Sequence, residues 1–130
     1  MAQYATELFA HFVYSPEMSY HELLDKEEEL KIFFSRLVED HSGDFLHFEA
    51  DGDALCAQCV FTEYTEDRFH DFCDGLAPAM DGTVEARLLF VSKNLDFLHI
   101  FAVEKGTWTE SVIHLPPAGI GRCLQRMDKK

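Results

Sequence analysis

Four residues in the middle of the chain have the types and spacing of a zinc site. The pattern C-x2-C-x10-H-x2-C is formed by Cys56, Cys59, His70 and Cys73. Geometry argues against zinc, because Cys56 and Cys59 lie on a predicted strand, where residues three apart point to opposite faces. The surrounding sequence ALCAQCVF also lacks a glycine for the tight turn of a zinc knuckle. We therefore interpret Cys59 and Cys73 as small buried hydrophobic residues and predict no metal and no other cofactor.

A second group of chemically capable side chains lies on the solvent face of a predicted helix over residues 66–74. Its helical spacing clusters one histidine with four carboxylates: Glu66, Asp67, His70, Asp71 and Asp74. A metal site here would need ligands from a second helix, such as His21, Glu22 and Asp25. The sequence HELLD, however, lacks the second histidine of the HExxH zinc signature. We predict that the five residues form a partner-binding face, and we assign no metal ligand.

The sequence contains no arrangement that is typical of a catalytic centre. His47, His99 and His114 fall on predicted strands as single histidines, and no serine lies in a G-x-S-x-G motif. Gly119 and Gly121 lack the third glycine of a dinucleotide-binding loop. We assign no catalytic residue, and a binding protein is a better match to the sequence than an enzyme.

The acidic residues are concentrated in one part of the chain. The 130 residues include 24 Asp and Glu against 11 Lys and Arg, a formal net charge of -13. Residues 44–82 hold ten of the acidic residues, with Arg68 as the only Lys or Arg. This balance excludes a nucleic-acid binder, which needs clustered Lys and Arg to neutralise phosphates. The acidic stretch either keeps the protein in solution or forms a docking surface for a basic protein partner.

Length and composition predict a single domain over residues 1–130. With 47% hydrophobic residues, a chain of this size can build a core without metal or disulfide staples. No apolar run reaches the roughly 20 residues of a membrane span. The N-terminus has neither the basic region nor the long apolar region of a signal peptide. We therefore expect a cytoplasmic protein that does not bind membranes.

The hydrophobic pattern predicts the element order α-α-β-β-α-β-β-β-α. The first segment is predicted to be a helix because its apolar residues share one helical face: Ala5, Leu8, Phe9, Phe12 and Val13. Pro16 ends that helix, and the next begins at Ser15 or at Ser19, which has Glu22 at capping-box spacing. The second helix runs to about Gly43.

From residue 44 the period of the apolar residues changes from 3.6 to 2. This predicts strands at about 44–50, 54–62, 83–92, 95–104 and 107–115. Short turns of suitable chemistry fall at 51–53, 93–94 and 105–106. Thr65 caps a crossover helix that ends near Pro78, and a short basic helix is predicted from Ala118. These elements most simply form an α+β fold with one five-stranded antiparallel sheet and flanking helices.

This order of elements is similar to that of roadblock and longin domains and the wider profilin-like group. The resemblance implies the spatial strand order 2-1-5-4-3, in which the last strand lies beside the first. It covers most of the chain but is one of topology without a shared motif, so it transfers no functional residue. Small acidic secretion chaperones share the same size, charge and mixture of elements.

One predicted strand bears on oligomeric state. Strand 95–104 has apolar residues on both faces, with Phe97 and Phe101 opposing Leu98 and Ile100. An antiparallel sheet with one wet face would alternate apolar and polar residues. Either helices cover both faces of the sheet or a second copy of the chain buries one face. A homodimer is therefore one of two predictions, and Trp108 is a candidate binding anchor.

Two classes of function follow from these observations. The first is an acidic protein-binding module, such as an adaptor, a chaperone or an inhibitor of a basic partner. It is based on the small size, the acidic stretch 44–82 and the lack of a catalytic motif. The alternative is a small-ligand- or metal-binding domain, or an enzyme, that uses the histidines and cysteines of the sheet and the crossover helix. That alternative requires the histidines to converge in the folded structure.

Overall fold

The computed structural model describes residues 4–92 and 97–114, which fold into six strands and two helices. In chain order these are β1 (Thr6–Tyr14), α1 (Tyr20–Asp40), β2 (Gly43–Asp51), β3 (Ala54–Phe61), α2 (Glu66–Met80), β4 (Val84–Ser92), β5 (Phe97–Glu104) and β6 (Thr107–His114). The strands form one antiparallel sheet in the order β2-β3-β1-β4-β5-β6. The predicted turn at 93–94 and the predicted helix from Ala118 lie outside the described residues.

The first segment is strand β1 at the centre of the sheet, so the prediction of an N-terminal helix is wrong. Every second residue of β1 is buried, from Thr6 to Tyr14, which is the period of a strand. Phe9 and Val13 add apolar residues to the opposite face, so the segment also satisfies a helical spacing. Strand pairing decides in favour of a strand over a helix, because β1 forms full hydrogen-bonded ladders with both β3 and β4.

The predicted five-stranded sheet with order 2-1-5-4-3 is also wrong, for the same physical reason. That order needs the strand 107–115 to pair with the strand 44–50. In the structure β1 pairs with β3 and with β4, and β2 and β6 are the two edge strands. The observed order of elements is β-α-β-β-α-β-β-β, so the profilin- and roadblock-like topology does not apply.

Helix α1 starts where its capping box allows and packs through one face. The Ser19 hydroxyl accepts the backbone N–H of Glu22, and the Glu22 carboxylate accepts the backbone N–H of Ser19, each at 3.2 Å. Ser19 is therefore the N-cap, and Ser15 is not. Phe34, fully buried, makes edge-to-face contacts with Phe12 of the sheet and Phe72 of α2, with ring centroids 5.7 and 5.2 Å apart.

Helix α2 packs on the same face of the sheet as α1. Thr65 caps it through the backbone N–H of Arg68, as predicted. The Phe69 ring contacts Phe90 and Phe101, on the inward face of β4 and β5, at 5.4 and 4.8 Å. Pro78 lies within the last turn, and the helix ends at Met80, directly before Asp81 and Gly82. The core therefore lies between this helix layer and one face of the sheet.

The opposite face of the sheet carries no helix within residues 4–92 and 97–114. This arrangement accounts for the two apolar faces of β5. Phe101 and Val103 are buried under α2, whereas Leu98 and Ile100 lie partly exposed on the helix-free face. Neither described helix is long and apolar enough to cross a membrane.

We expect Phe34→Ala to lower the free energy of unfolding by about 3–5 kcal/mol, because it opens a cavity where both helices meet the sheet. Urea denaturation followed by circular dichroism measures this change. The control is Ile32→Ala, two residues away on the exposed side of α1, with an expected loss of about 0.5 kcal/mol or less. Equal losses for the two variants would contradict this packing.

Candidate functional site

Four ionisable side chains converge where α2 crosses β5 and β6. This histidine–glutamate cluster consists of Glu66, His70, His99 and Glu110. Glu66 and His70 lie one turn apart on α2, so their side chains leave the same side of the helix. The β5–β6 register pairs His99 with Val112 and Phe101 with Glu110, so His99 and Glu110 are diagonal neighbours on the inward face.

Glu110 is the centre of the cluster because both of its oxygens face a histidine. Its Oε1 lies 2.9 Å from Nε2 of His70, and its Oε2 lies 2.9 Å from Nδ1 of His99. The same Nδ1 of His99 lies 3.0 Å from Oε2 of Glu66. The side chain of His99 is 12% exposed and that of Glu110 is 20% exposed. The cluster is thus a polar group set into the margin of the apolar core.

Aromatic rings fix the orientation of the two histidines. The indole of Trp108 stacks on the His70 ring at 5.3 Å between centroids, and its Nε1 donates to Asp74 at 2.8 Å. Phe101 touches both the His70 ring and the indole, with centroids 5.7 Å away in each case. Trp108 is partly buried in this role. These contacts connect Asp74 to Trp108, Trp108 to His70 and His70 to Glu110, and together they hold the Glu110 carboxylate in place.

The five residues predicted as a partner-binding face separate into two groups. Glu66, His70 and Asp74 point towards β5 and β6, where they contact His99, Glu110 and Trp108. Asp67 and Asp71 are exposed on another side of α2, and Asp71 lines a groove between the helices of about 430 Å³. Partner binding by these five residues stays a prediction, and Asp67 and Asp71 are the two that lie outside the contacts with β5 and β6.

The cysteines of the zinc-like pattern do not come together as ligands. Cys56 is exposed on β3, whereas Cys59 and Cys73 are buried. Burial raises the pKa of the Cys59 and Cys73 thiols to about 12, so both stay protonated at neutral pH. The histidine of the pattern, His70, is turned towards Glu110 instead.

Of the other residues considered for metal binding, only His99 joins the cluster. His21 and Asp25 form their own exposed pair on α1, with Nε2 and Oδ2 3.6 Å apart. His47 is exposed on β2, and His114 packs edge-to-face on Phe97. Glu66 and His70 of α2 thus contact His99 and Glu110, which lie on strands, and they do not contact the helix residues that the sequence suggested as further ligands. Glu110 was not among the predicted site residues.

We expect Glu110→Ala to lower the free energy of unfolding by about 1–3 kcal/mol, because His70 and His99 both lose their acceptor. Guanidinium denaturation in the presence of a chelator measures the change. Glu104→Ala is the matched control, since Glu104 is exposed on the neighbouring strand and its carboxylate has no hydrogen bond or ion pair within residues 4–92 and 97–114. A loss no larger than that of the control would show that the cluster contributes nothing to stability.

Comparison with known proteins adds no further site information. No protein-family model matches the chain. No curated protein sequence shows significant similarity to it. The role of the histidine–glutamate cluster and of the helix-free face is therefore inferred from their own geometry and chemistry.

Proposed function

We propose that this protein is a homodimeric protein-binding module. The observation that carries the proposal is that the two sides of the sheet differ in character: one side is covered by helices and the other is not. On β1, β4, β5 and β6 the helix-free face is apolar and nearly neutral, whereas the acidic residues lie mainly on the helix layer and on the β2–β3 hairpin. Surfaces of such different character suit two different partners, and we assign them to a second copy of the chain and to a basic protein.

Apolar side chains form a continuous patch across the helix-free face. One row runs through Phe9, Leu89 and Ile100 on adjacent strands, and the next runs through Val91, Leu98 and Ile113. Phe9 is 39% exposed and Ile113 is 44% exposed. A continuous apolar patch on a soluble protein marks an interaction site more often than scattered exposed residues do. We name these six residues the sheet-face patch.

The size of this face suits a dimer. Six strands spaced about 4.8 Å apart, each about 28 Å long, give a face of roughly 800 Å². An interface of standard size buries about 800 Å² on each partner. A second copy of the sheet therefore provides a partner of matching area, and its sheet-face patch supplies the apolar part of the contact.

The charge of this face also favours a second copy. Side chains alternate along a strand, so the outward charges on β1, β4 and β5 are Glu7, Glu85, Arg87 and Glu104. Their sum is -2, and the other acidic residues of this face, Asp44, Glu49 and Asp51, lie at its β2 edge. Two copies that meet through this face keep most of their negative charge apart, on the outer surfaces of the dimer.

We expect static light scattering at micromolar concentration to give twice the mass of the chain. Ile100→Glu and Ile113→Lys each place a charge in the sheet-face patch and are expected to give the monomer mass. Ile32→Glu, on the exposed side of α1, is the control and is expected to stay dimeric. A monomeric wild-type protein would contradict the proposed dimer.

The second partner of the module is a basic protein that docks on the acidic helix layer. All ten acidic residues of the stretch 44–82 have exposed side chains. Among them, Asp67 and Asp71 point away from the histidine–glutamate cluster, so their charge is available to a partner. In a dimer joined through the sheets, both acidic layers face outward, and the two copies can bind a multivalent partner together. The exposed thiol of Cys56 fits the cytoplasm that we propose as the location.

We expect the double variant Asp67→Lys and Asp71→Lys to lose a protein that the wild type captures from an extract of its source cells. Quantitative mass spectrometry compares the captures. The double variant Glu28→Lys and Glu39→Lys on α1 makes the same change in net charge and is expected to retain the protein. The captured protein is then purified and titrated directly, and its affinity should fall steeply with salt. Equal capture by both double variants would contradict specific docking on α2.

A further inference from the structure

We propose that the histidine–glutamate cluster binds one divalent transition-metal ion, with Zn²⁺ preferred. The ligands are Oε2 of Glu66, Nδ1 of His99 and Oε2 of Glu110, and these three atoms lie within 4.8 Å of one another. This inference stands apart from the proposed function, because it uses neither the sheet-face patch nor the acidic residues Asp67 and Asp71.

The spacing of the three atoms suits a metal ion. Bonds of about 2.0–2.2 Å to nitrogen and oxygen place neighbouring ligands about 3.0–3.5 Å apart. Nδ1 of His99 already lies 2.9 Å from the Glu110 oxygen and 3.0 Å from the Glu66 oxygen. The widest gap separates the two carboxylates. Glu66 is 46% exposed in the first turn of α2, so its side chain has the freedom to close that gap.

The hydrogen-bonding capacity of His99 gives a second reason for a cation. Its Nδ1 can carry one proton, but two carboxylate oxygens lie within hydrogen-bonding distance of it. One N–H cannot point directly at both oxygens, so at least one of these contacts is poor. Two carboxylates held this close also repel each other in a site that is mostly shielded from water. A divalent ion at the centre accepts the Nδ1 lone pair and neutralises both carboxylates.

The residues around the three ligands form the outer support that metal sites need. His70 lies 2.9 Å from the second oxygen of Glu110, which leaves Oε2 turned towards His99. Trp108 stacks on His70, and Asp74 accepts the indole N–H. His70 is thus a positioning residue for Glu110, of the kind that orients metal-binding carboxylates in other sites.

The donor set indicates which metals fit. One imidazole and two carboxylates are typical ligands of Zn²⁺ and of Mn²⁺ or Fe²⁺, whereas Cu⁺ prefers sulfur. For a site of nitrogen and oxygen ligands, Zn²⁺ binds more tightly than Mn²⁺. Three protein ligands leave a coordination position for water at the exposed rim beside Glu66.

Isothermal titration of the chelator-treated full chain with ZnCl₂, with a reductant present, tests the site. We expect one Zn²⁺ per chain and weaker binding of MnCl₂. Glu66→Gln and Glu110→Gln remove ligand charge and should each weaken Zn²⁺ binding at least about tenfold. Glu63→Gln and Asp25→Asn are controls on exposed acids outside the cluster, and both should bind as the wild type does.

The positioning role of His70 needs its own comparison. His70→Ala should weaken Zn²⁺ binding about tenfold, whereas His70→Gln, whose amide can still donate to Glu110, should retain most of the affinity. Circular dichroism verifies that each variant is folded. The proposal would be overturned if the wild type does not bind Zn²⁺, or if Glu66→Gln and Glu110→Gln bind Zn²⁺ as tightly as the wild type does. A change in oligomeric mass in the Ile100→Glu variant bears only on the dimer and leaves this site unaffected.

Discussion

The central pairing of β1 is the constraint on which the rest of the structure depends. This strand joins the β2–β3 hairpin on one side to the β4–β5–β6 meander on the other. With β1 in place, the buried residues of β1, β3, β4 and β5 form one apolar surface on which α1 and α2 pack. Phe12 of β1 contacts Phe34 of α1, and Phe34 contacts Phe72 of α2, so one run of rings connects the sheet to both helices.

That packing also determines where the chemistry of the molecule lies. Because α2 is held over β4 and β5 by Phe69, its Glu66 and His70 sit directly above His99 and Glu110. Because both helices pack on one face of the sheet, the other face is uncovered and carries the sheet-face patch. The half-buried histidine–glutamate cluster and the apolar helix-free face thus both result from the same arrangement of layers.

Local features of the fold could be predicted from the sequence, and long-range ones could not. The capping box of Ser19 and Glu22, and the cap at Thr65, depend on residues three apart, and the structure has both. The turn at Lys105–Gly106 was also predictable, and both residues have positive φ. Segment 6–14 was misassigned because its two apolar faces satisfy a helix and a buried strand equally, and only pairing with β3 and β4 separates them.

The candidate site was predictable in the same partial way. A two-residue turn at 105–106 fixes the register of β5 and β6, which already places His99 and Glu110 on the same face of adjacent strands. Their meeting with Glu66 and His70 depends on where α2 crosses the sheet. The position of that crossing depends on the strand order, and the predicted order was wrong because it did not include β1. For this reason the sequence did not indicate that His70 and His99 come together.

The position of β1 has a consequence for how the chain folds. Of the six described strands, β1 is synthesised first, and it needs a partner 72–86 residues further along, since Thr6 pairs with Ser92 and Val13 with Glu85. The β2–β3 hairpin can form as soon as its turn is made, but β1 keeps one bare edge until β4 is synthesised. Contacts of such long sequence separation slow folding and leave hydrophobic edges exposed on the way. During synthesis β1 therefore needs protection from other chains until β4 has formed.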